Sequence, residues 1–293
     1  MMFSEVWLGH PLVMGGTVPD VATVLVTVKT YPSPSDRYGE TVCVAGVRLD
    51  RNVPEWIRLY PMKFRLVDYE QQFRKYEIIE IPVTAHGGSD PRPESMRPHQ
   101  AHMRSVRLVA SSKNWADRRA LIRPLIGATT TCDLIAANSA VDYSQPAPSL
   151  GLVKCNPVQI AVSDGEPWEP RQIAKVVRAA QPDLFNPDGF RELEPAPFRV
   201  KVKYRCDSTG CPGHEPTLLD WETGQAGRKW SSERGVVRAK QMLQEKYESL
   251  FGDDRDSHLF VGNMHQHRAS FSALGVWSPK VQPTDPYEGD LFS

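Results

Sequence analysis

The stretch ETVCVAGVRLDRNVPEWIRLYPMKF, residues 40–64, holds two apolar segments separated by a polar turn. Residues 40–49 and 55–64 are rich in the β-branched and aromatic side chains that favour strands. Between them, residues 50–54 combine Asp, Asn and Pro, which are typical of turns. The stretch therefore predicts two consecutive β-strands joined by a short connection.

Further strands are predicted on either side of this pair. Residues 21–31, VATVLVTVKTY, form a β-branched run, and residues 76–86 and 105–111 add two more apolar segments. The polar segment 66–75 has the composition of a short helix, and the proline-rich segment 87–104 that of a long loop. The first part of the chain thus reads strand, strand, strand, short helix, strand, strand.

The second part of the chain repeats that order. The segment PFRVKVKYRC at 197–206 alternates apolar and basic residues, as a half-exposed strand does. The segment 232–251 has a serine at its start and Gly252 at its end, which are helix boundary signals. The predicted elements are strands at 158–164, 197–206, 215–222, 257–264 and 269–277, with the helix before the fourth strand.

Three strands, a helix and two strands is the order expected for an oligonucleotide/oligosaccharide-binding (OB) barrel. We therefore predict a mainly β, α+β fold with two OB-like five-stranded barrels, and linking helices at 114–126, 133–140 and 169–181. The predicted boundaries are an N-terminal extension at 1–20, an OB-like domain at 21–111, a helical linker at 112–156, a second OB-like domain at 157–280 and a tail at 281–293.

The segment 40–64 resembles the opening of the dual OB-containing domain family of prokaryotic proteins, where a cysteine-bearing strand precedes a Trp-Ile-Arg strand. This resemblance covers mainly residues 22–110. The segments YRCDSTGCPGHEPTLLDWE, 204–222, and LFVGNMHQHRASFSALGVW, 259–277, are similar to uncharacterised bacterial proteins associated with genome-defence or mobile-element neighbourhoods. The resemblance implies a tandem-barrel fold and contact with nucleic acid, and it implies no reaction.

The charge balance, the cysteine number and the lengths of the apolar runs limit the possible functions and locations of the protein. Of 293 residues, 35 are Lys or Arg and 35 are Asp or Glu, so only local patches can attract nucleic acid. The five cysteines are odd in number and mostly far apart, which argues against a secreted disulfide framework and predicts a reducing, cytoplasmic location. No apolar run approaches the roughly 20 residues of a membrane span, so no membrane partner is expected.

A zinc knuckle is predicted at the start of the 204–222 segment. Cys206, Cys211 and His214 are zinc-ligand types within nine residues, and Gly210 and Gly213 permit the tight turns that such a loop needs. The alternative is a hairpin with two reduced thiols and a surface histidine. A structural Zn²⁺ needs a fourth ligand, and the candidates are His265 and His267, with His258, Cys155 and Cys43 as further options.

An acidic pair follows the knuckle. On the strand predicted at 215–222, Asp220 and Glu222 point to one face, about 7 Å apart, with Trp221 opposite. Two such carboxylates suit Mg²⁺ in a metal-dependent nuclease, assisted by nearby histidines. The alternative is a solvent-facing acidic pair beside a core tryptophan.

Basic residues interleave with aromatic ones in two strands, a pattern typical of single-strand binding. On the strand at 197–206, alternation places the basic residues on one face, and the alternative is an ordinary solvated face. The predicted nucleic-acid contacts are Arg58, Lys63, Arg65, Arg199, Lys201, Lys203 and Arg205.

Several catalytic signatures are missing from the sequence, including the P-loop, GxGxxG, GxSxG and zinc-deaminase patterns. The preferred hypothesis is a non-catalytic protein of a bacterial DNA-processing or defence system that binds single-stranded or structured nucleic acid or assembles a complex. Two alternatives stay open: a metal-dependent nuclease using Asp220 and Glu222, and a structural subunit that binds other proteins.

Overall fold

The computed structural model describes residues 20–65, 72–86, 90–156, 158–182, 187 and 189–281. Nearly all of the predicted N-terminal extension and C-terminal tail lie outside these residues, as does most of the helix predicted at 66–75. The described strands are β1 (Asp20–Lys29), β2 (Ser33–Ser35), β3 (Gly39–Arg48), β4 (Glu55–Met62), β5 (Glu77–Ala85), β6 (Ser95–Pro98), β7 (Arg104–Leu108), β8 (Leu150–Lys154), β9 (Val158–Asp164), β10 (Phe198–Tyr204), β11 (His258–Met264) and β12 (His267–Trp277).

Helices lie mainly in the second half of the chain, which makes the fold a mixed α+β fold dominated by strands. Short 3₁₀ helices occur at Gln100–His102 and Arg123–Leu125. The α-helices are α1 (Ser112–Ile122), α2 (Thr131–Ser139), α3 (Pro170–Ala180), α4 (Trp221–Arg234) and α5 (Val236–Leu250).

The first half forms a closed five-stranded barrel. β1 pairs with β3 and β5, β3 pairs with β4, and the short β6 pairs with both β4 and β5, which completes the ring. The predicted barrel is therefore present, but its fifth strand is β6, inside the segment predicted to be a loop. The predicted fifth strand, β7, pairs with β5 outside the ring. Four residues that end in proline carry no strand periodicity, so the pattern could not reveal β6.

Strands β1 and β3 are buried on both faces, which explains their nearly continuous apolar runs, whereas β5 buries mainly alternate residues. On β1, Val24 and Val26 pack inside the barrel. Leu25 lies on the other face, in a cluster that also contains Phe260 and Trp277 from the second half. The outer face of the barrel thus shares an apolar cluster with the second half of the chain.

The second half contains a two-stranded sheet, β9 with β10, and a three-stranded sheet in the order β12-β11-β8. Residues 214–218 connect them through isolated bridges from His214 to Tyr204 and from Leu218 to Ala273. The pairings of the described residues do not show a second closed barrel. The strand predicted at 215–222 is absent: its residues form only isolated bridges, and α4 begins at Trp221.

The helix predicted at 232–251 is present as α5, and a second helix that was not predicted, α4, precedes it. α4 and α5 meet at Gly235, whose φ of +82° lies in a region that disfavours other residues. Within the part of the chain that the structure describes, no helix is both long and apolar enough to span a bilayer.

Candidate metal centre and central cleft

Four side chains converge where the loop after β10 meets α2. The ligand atoms of Cys132, Cys206, Cys211 and His214 all lie within 4.8 Å of one another. The Cys206 sulfur is 3.6 Å from the sulfurs of both Cys132 and Cys211. Nε2 of His214 is 3.6 Å from the sulfur of Cys206, 3.3 Å from that of Cys211 and 3.5 Å from that of Cys132.

These separations fit a tetrahedral metal site. Zinc bound at its usual Zn–S and Zn–N lengths places sulfurs about 3.8 Å apart and sulfur and nitrogen about 3.5 Å apart. The cysteines are free, and 3.6 Å between Cys206 and Cys211 is far longer than a disulfide bond. The Cys₃His set can therefore hold a metal ion and is compatible with zinc.

The loop after β10 is shaped by two glycines. Gly210 has a φ of +73° and Gly213 a φ of +94°, which few other residues tolerate. The Gly213 N–H donates to the Cys211 sulfur at 3.4 Å. His214 then exchanges two backbone hydrogen bonds with Tyr204, of 2.8 and 2.9 Å, which fix its position beside β10.

The remaining ligand comes from the first turn of α2. Thr130 caps this helix in a capping box with Asp133, which sets where Cys132 lies. Burial opposes ionisation of the Cys206 thiol, but backbone hydrogen bonds from Ser208 and Cys132 outweigh it and lower its pKa to about 6. A thiolate at Cys206 is the form that binds metal.

The structure corrects the predicted fourth ligand. Cys132 completes the cluster, whereas His265 lies in the β11–β12 turn with Nδ1 2.8 Å from the Tyr143 hydroxyl. His267 is exposed at the start of β12. No spacing rule links Cys132 to a knuckle 74 residues away, so the sequence offered no local signal for it.

The predicted acidic pair does not share a strand face. Asp220 is the residue before α4, and its Oδ1 lies 3.0 Å from Nζ of Lys75. Thr223 donates a hydrogen bond to Oδ2 of Asp220 at 3.2 Å, and Glu222 Oε2 is 3.6 Å from the same lysine. Burial acts to lower the pKa of Lys75, but the two carboxylates outweigh it and raise that pKa above its usual range. Both carboxylates are therefore already ion-paired with the buried Lys75.

The basic residues of β10 lie on the face opposite its buried side chains. Phe198, Val200, Val202 and Tyr204 are buried, while the residues between them are at least partly exposed. Arg199 pairs with Glu166 at 2.5 Å and Lys201 with Glu215 at 3.0 Å. We call the exposed residues the basic row: Arg199, Lys201, Lys203 and Arg205.

The other predicted basic set does not form a patch. Arg58 is buried, Lys63 is exposed, and Arg65 is ion-paired with Glu40 at 2.9 Å. Of these three, only Arg58 faces a large cavity.

That cavity, the central cleft, lies between the barrel and the second half and has a volume of about 700 Å³. Arg199 lines it, so the basic row begins at its rim. Its aromatic lining consists of Tyr31, Tyr60, Trp168 and Phe198. Nothing in the sequence predicted the cleft, because its walls come from distant segments.

Arg58 is the most deeply buried cation of the cleft, with 3% of its surface exposed. Nη1 lies 2.9 Å from the Cys43 sulfur, and Nη2 donates to the hydroxyl of Ser149 at 2.9 Å and to its carbonyl at 3.1 Å. β4 places Arg58 and Tyr60 on the same side, two residues apart, with Ile57 and Leu59 facing the barrel interior.

Comparisons with known proteins identify a family and no related protein of known function. No curated protein matches the chain. A solved structure titled "Structure of murine DNA binding protein bound with ds DNA" is similar over 90% of this chain and 98% of its own, at 9% identity and a TM-score of 0.28. A TM-score this low does not show a shared fold.

Two family descriptions match the chain in turn. Residues 20–124 match the family described as Domain of unknown function (DUF8758). Residues 127–292 match the family described as Domain of unknown function (DUF8757). Because the second match spans more than half of the chain, the protein belongs to the DUF8757 family.

Proposed function

We propose that this protein is a non-catalytic nucleic-acid-binding protein of a bacterial DNA-processing or defence system, acting in the cytoplasm on single-stranded or structured nucleic acid. The observation that carries the proposal is that the basic row leads into the central cleft at Arg199, which belongs to both. A strand would lie along the row and turn its bases into the cleft.

The row has the spacing of an extended ligand. Alternate residues of a β-strand project from one face about 7 Å apart, so the four cations form a line about 20 Å long. The paired strand β9 presents small or polar side chains on the same face, Gln159, Ala161 and Ser163, which leave room above the row. Cations in such a line neutralise successive phosphates.

The cleft supplies the aromatic surfaces that single-strand binding uses. Stacking of a base on an aromatic side chain is worth about 1–3 kcal/mol and tolerates any base. A cavity of about 700 Å³ has the size of a small-molecule site, so it admits individual bases and not a duplex. We therefore expect preference for unpaired strands.

The zinc site is proposed to be structural. Four protein ligands fill a tetrahedral shell, and a catalytic zinc needs a position left for water. The ion would join the first turn of α2 to the loop after β10, and so hold the basic row against the rest of the second half.

The second half is proposed to be an open, OB-like arrangement. Residues 214–218 bridge β10 on one side and β12 on the other, which gives the lateral order β9, β10, 214–218, β12, β11, β8. This order keeps one sheet face for the core and one for a ligand. The resemblance to dual OB proteins supports the same arrangement.

The nuclease hypothesis gains no support from the geometry. A Mg²⁺ ion at Asp220 and Glu222 would have to displace the buried Lys75 ammonium from both carboxylates. If no nucleic acid binds, the remaining hypothesis is a subunit that binds other proteins.

The direct test is fluorescence anisotropy at low salt with labelled single-stranded DNA, single-stranded RNA and duplex DNA. We expect single strands to bind best, and the double variant Lys201→Glu/Lys203→Glu to bind at least tenfold more weakly. The matched control is Lys229→Glu/Arg238→Glu, which reverses two ion-paired cations on helices α4 and α5, away from the row. Lack of binding to all three probes, or an equal loss in the control, would contradict the proposal.

A further inference from the structure

Among the described residues that line the central cleft, one buried cation, Arg58, has no carboxylate partner. In the described lining, every carboxylate is already paired with a basic side chain, and Arg58 alone among the lining arginines has no carboxylate within 4.0 Å. The pairs are Asp90 with Arg92 at 2.6 Å, Glu166 with Arg199 at 2.5 Å and Asp220 with Lys75 at 3.0 Å.

A buried guanidinium without a counter-ion is costly, and such groups are normally paired or bind a ligand. Nε of Arg58 is buried and has no hydrogen-bond partner. The Glu94 carboxylate is linked to the Arg58 guanidinium through the hydroxyl of Ser149, which donates to Glu94 at 2.6 Å. The planar guanidinium fork is the protein group best suited to a phosphate.

An aromatic ring lies beside this cation. Tyr60 follows Arg58 by two residues on the same side of β4, about 7 Å further along the strand. In the described residues, its ring has no aromatic or cationic neighbour and its hydroxyl makes no hydrogen bond, although it lines the cleft half-buried. Trp168 lines the cleft too, with its indole N–H bound to the Leu193 carbonyl at 2.8 Å, and no aromatic ring of the described residues stacks on it.

From these observations we infer that the central cleft is a nucleotide pocket, in which Arg58 binds the phosphate and Tyr60 stacks on the base. The inference deepens the proposed function and rests on it for the nucleic-acid source of the nucleotide. About 700 Å³ is within the range of cavities that enclose one small ligand, so the occupant is a single nucleotide unit or two.

Two sources share this chemistry: the phosphorylated end of a strand and a free nucleoside monophosphate. Cys43 provides a local reporter, because its sulfur lies 2.9 Å from Nη1 of Arg58 and it is partly exposed in the cleft. A phosphate on Arg58 blocks access to this thiol.

The experiment measures the rate of Cys43 alkylation by N-ethylmaleimide, mapped by peptide mass spectrometry, alongside calorimetric titration of the same probes. The probes are adenosine 5′-monophosphate, adenosine, inorganic phosphate, and a 12-residue oligonucleotide with or without a 5′-phosphate. We expect the monophosphate to protect Cys43 and to bind at least tenfold more tightly than adenosine. Greater affinity for the phosphorylated oligonucleotide than for the monophosphate identifies a strand end as the source, and the reverse order identifies a free nucleotide.

Variants test whether Arg58 and Tyr60 form the pocket. Arg58→Gln and Tyr60→Leu should each weaken monophosphate binding at least tenfold, and Lys63→Gln, an exposed change on the same segment, should not. Should Arg58→Gln fail to fold, Tyr60→Leu at its half-buried position still decides the matter. Lys229→Glu/Arg238→Glu, on helices α4 and α5, should likewise leave monophosphate binding unchanged.

The outcomes also distinguish this inference from the proposed function. If oligonucleotides bind but the monophosphate neither binds nor protects Cys43, the pocket is wrong and the binding function stands. If the monophosphate binds and no oligonucleotide does, the pocket stands and the proposed function fails.

Discussion

The sulfur of Cys132 lies 3.6 Å from the sulfur of Cys206, although 74 positions separate the two residues in the chain. One residue belongs to the first turn of α2 and the other to the loop after β10. A metal ion between them would close a long loop of chain, which is where a cross-link restricts the unfolded state most.

The purified protein should contain one zinc ion per chain by elemental mass spectrometry. Cys132→Ala should lose it as completely as Cys211→Ala, because each removes one of four ligands. We expect a loss of several kcal/mol in the free energy of unfolding, and each kcal/mol lowers the Tm of a chain this size by about 2–4 °C.

The control for this prediction is His265→Ala, which removes a residue outside the cluster. It should keep the zinc and the Tm of the wild type. Full zinc content in Cys132→Ala would instead show that another residue completes the site.

Asp220→Asn should destabilise the fold by about 3–5 kcal/mol, because it leaves the buried Lys75 ammonium without its closest partner. Urea denaturation followed by tryptophan fluorescence measures this loss. The double variant Asp220→Asn/Lys75→Met should recover part of it, since no buried ammonium is left unpaired and Glu222 is about half exposed.

Glu222→Gln is the matched comparison, since this carboxylate is about half exposed and lies farther from Lys75, at 3.6 Å. Its effect on stability should be small. The metal hypothesis for this pair would be restored by two results together: Glu222→Gln destabilises the protein as much as Asp220→Asn does, and added Mg²⁺ stabilises the wild type.

Lys29 should make stability rise with pH in the alkaline range. Burial lowers its pKa from 10.5 to about 8 in the folded protein, so between these values the unfolded state binds more protons. Stability therefore rises as the pH rises through this window, and the penalty for a buried charge is fully present below pH 8.

Lys29→Met removes that penalty. At pH 7 its free energy of unfolding should exceed that of the wild type by up to about 3 kcal/mol, and the difference should shrink between pH 8 and 10.5. Denaturation curves at several pH values measure this, with the exposed Lys229→Met as control. A constant difference across the range would contradict the assignment.

Salt dependence should reveal how many phosphates the basic row contacts. For a single strand, each neutralised phosphate contributes about 0.7 to the slope of log affinity against log salt. Lys201→Gln/Lys203→Gln should therefore reduce the magnitude of that slope by about 1.4 if each lysine contacts one phosphate. Anisotropy titrations from low to moderate salt give the slope, and an unchanged slope would place the phosphates elsewhere.

Sequence periodicity predicted the long strands well. β1 and β3 bury both faces, and β5 and β10 bury mainly one, so their apolar patterns are strong over seven to ten residues. The short β6 has no such pattern, and its place in the ring depends on pairing with β4 and β5. The strand predicted at 215–222 is wrong for a related reason. Its residues meet distant segments only through isolated bridges, and Asp220 precedes a helix.

The two candidate sites were likewise predicted only in part from the sequence. Cys206, Cys211 and His214 are within nine residues, so their spacing and the intervening glycines were enough to group them. Asp220 and Glu222 were also recognised as a pair, but their partner Lys75 lies 145 residues from Asp220 along the chain. A charge can be read from sequence, and its neutralisation by a distant residue cannot.

By itself, the sequence determined the long strands, the closed first barrel as a class of fold, and three ligands of the metal cluster, because each depends on residues close together in the chain. Only the tertiary structure decided that Cys132 completes the Cys₃His cluster, that Lys75 pairs with the two acidic residues, and that Arg58 faces a cleft without a carboxylate partner among the described residues. These relationships arise when segments far apart pack against one another, and no local pattern of residues records which distant side chains will meet.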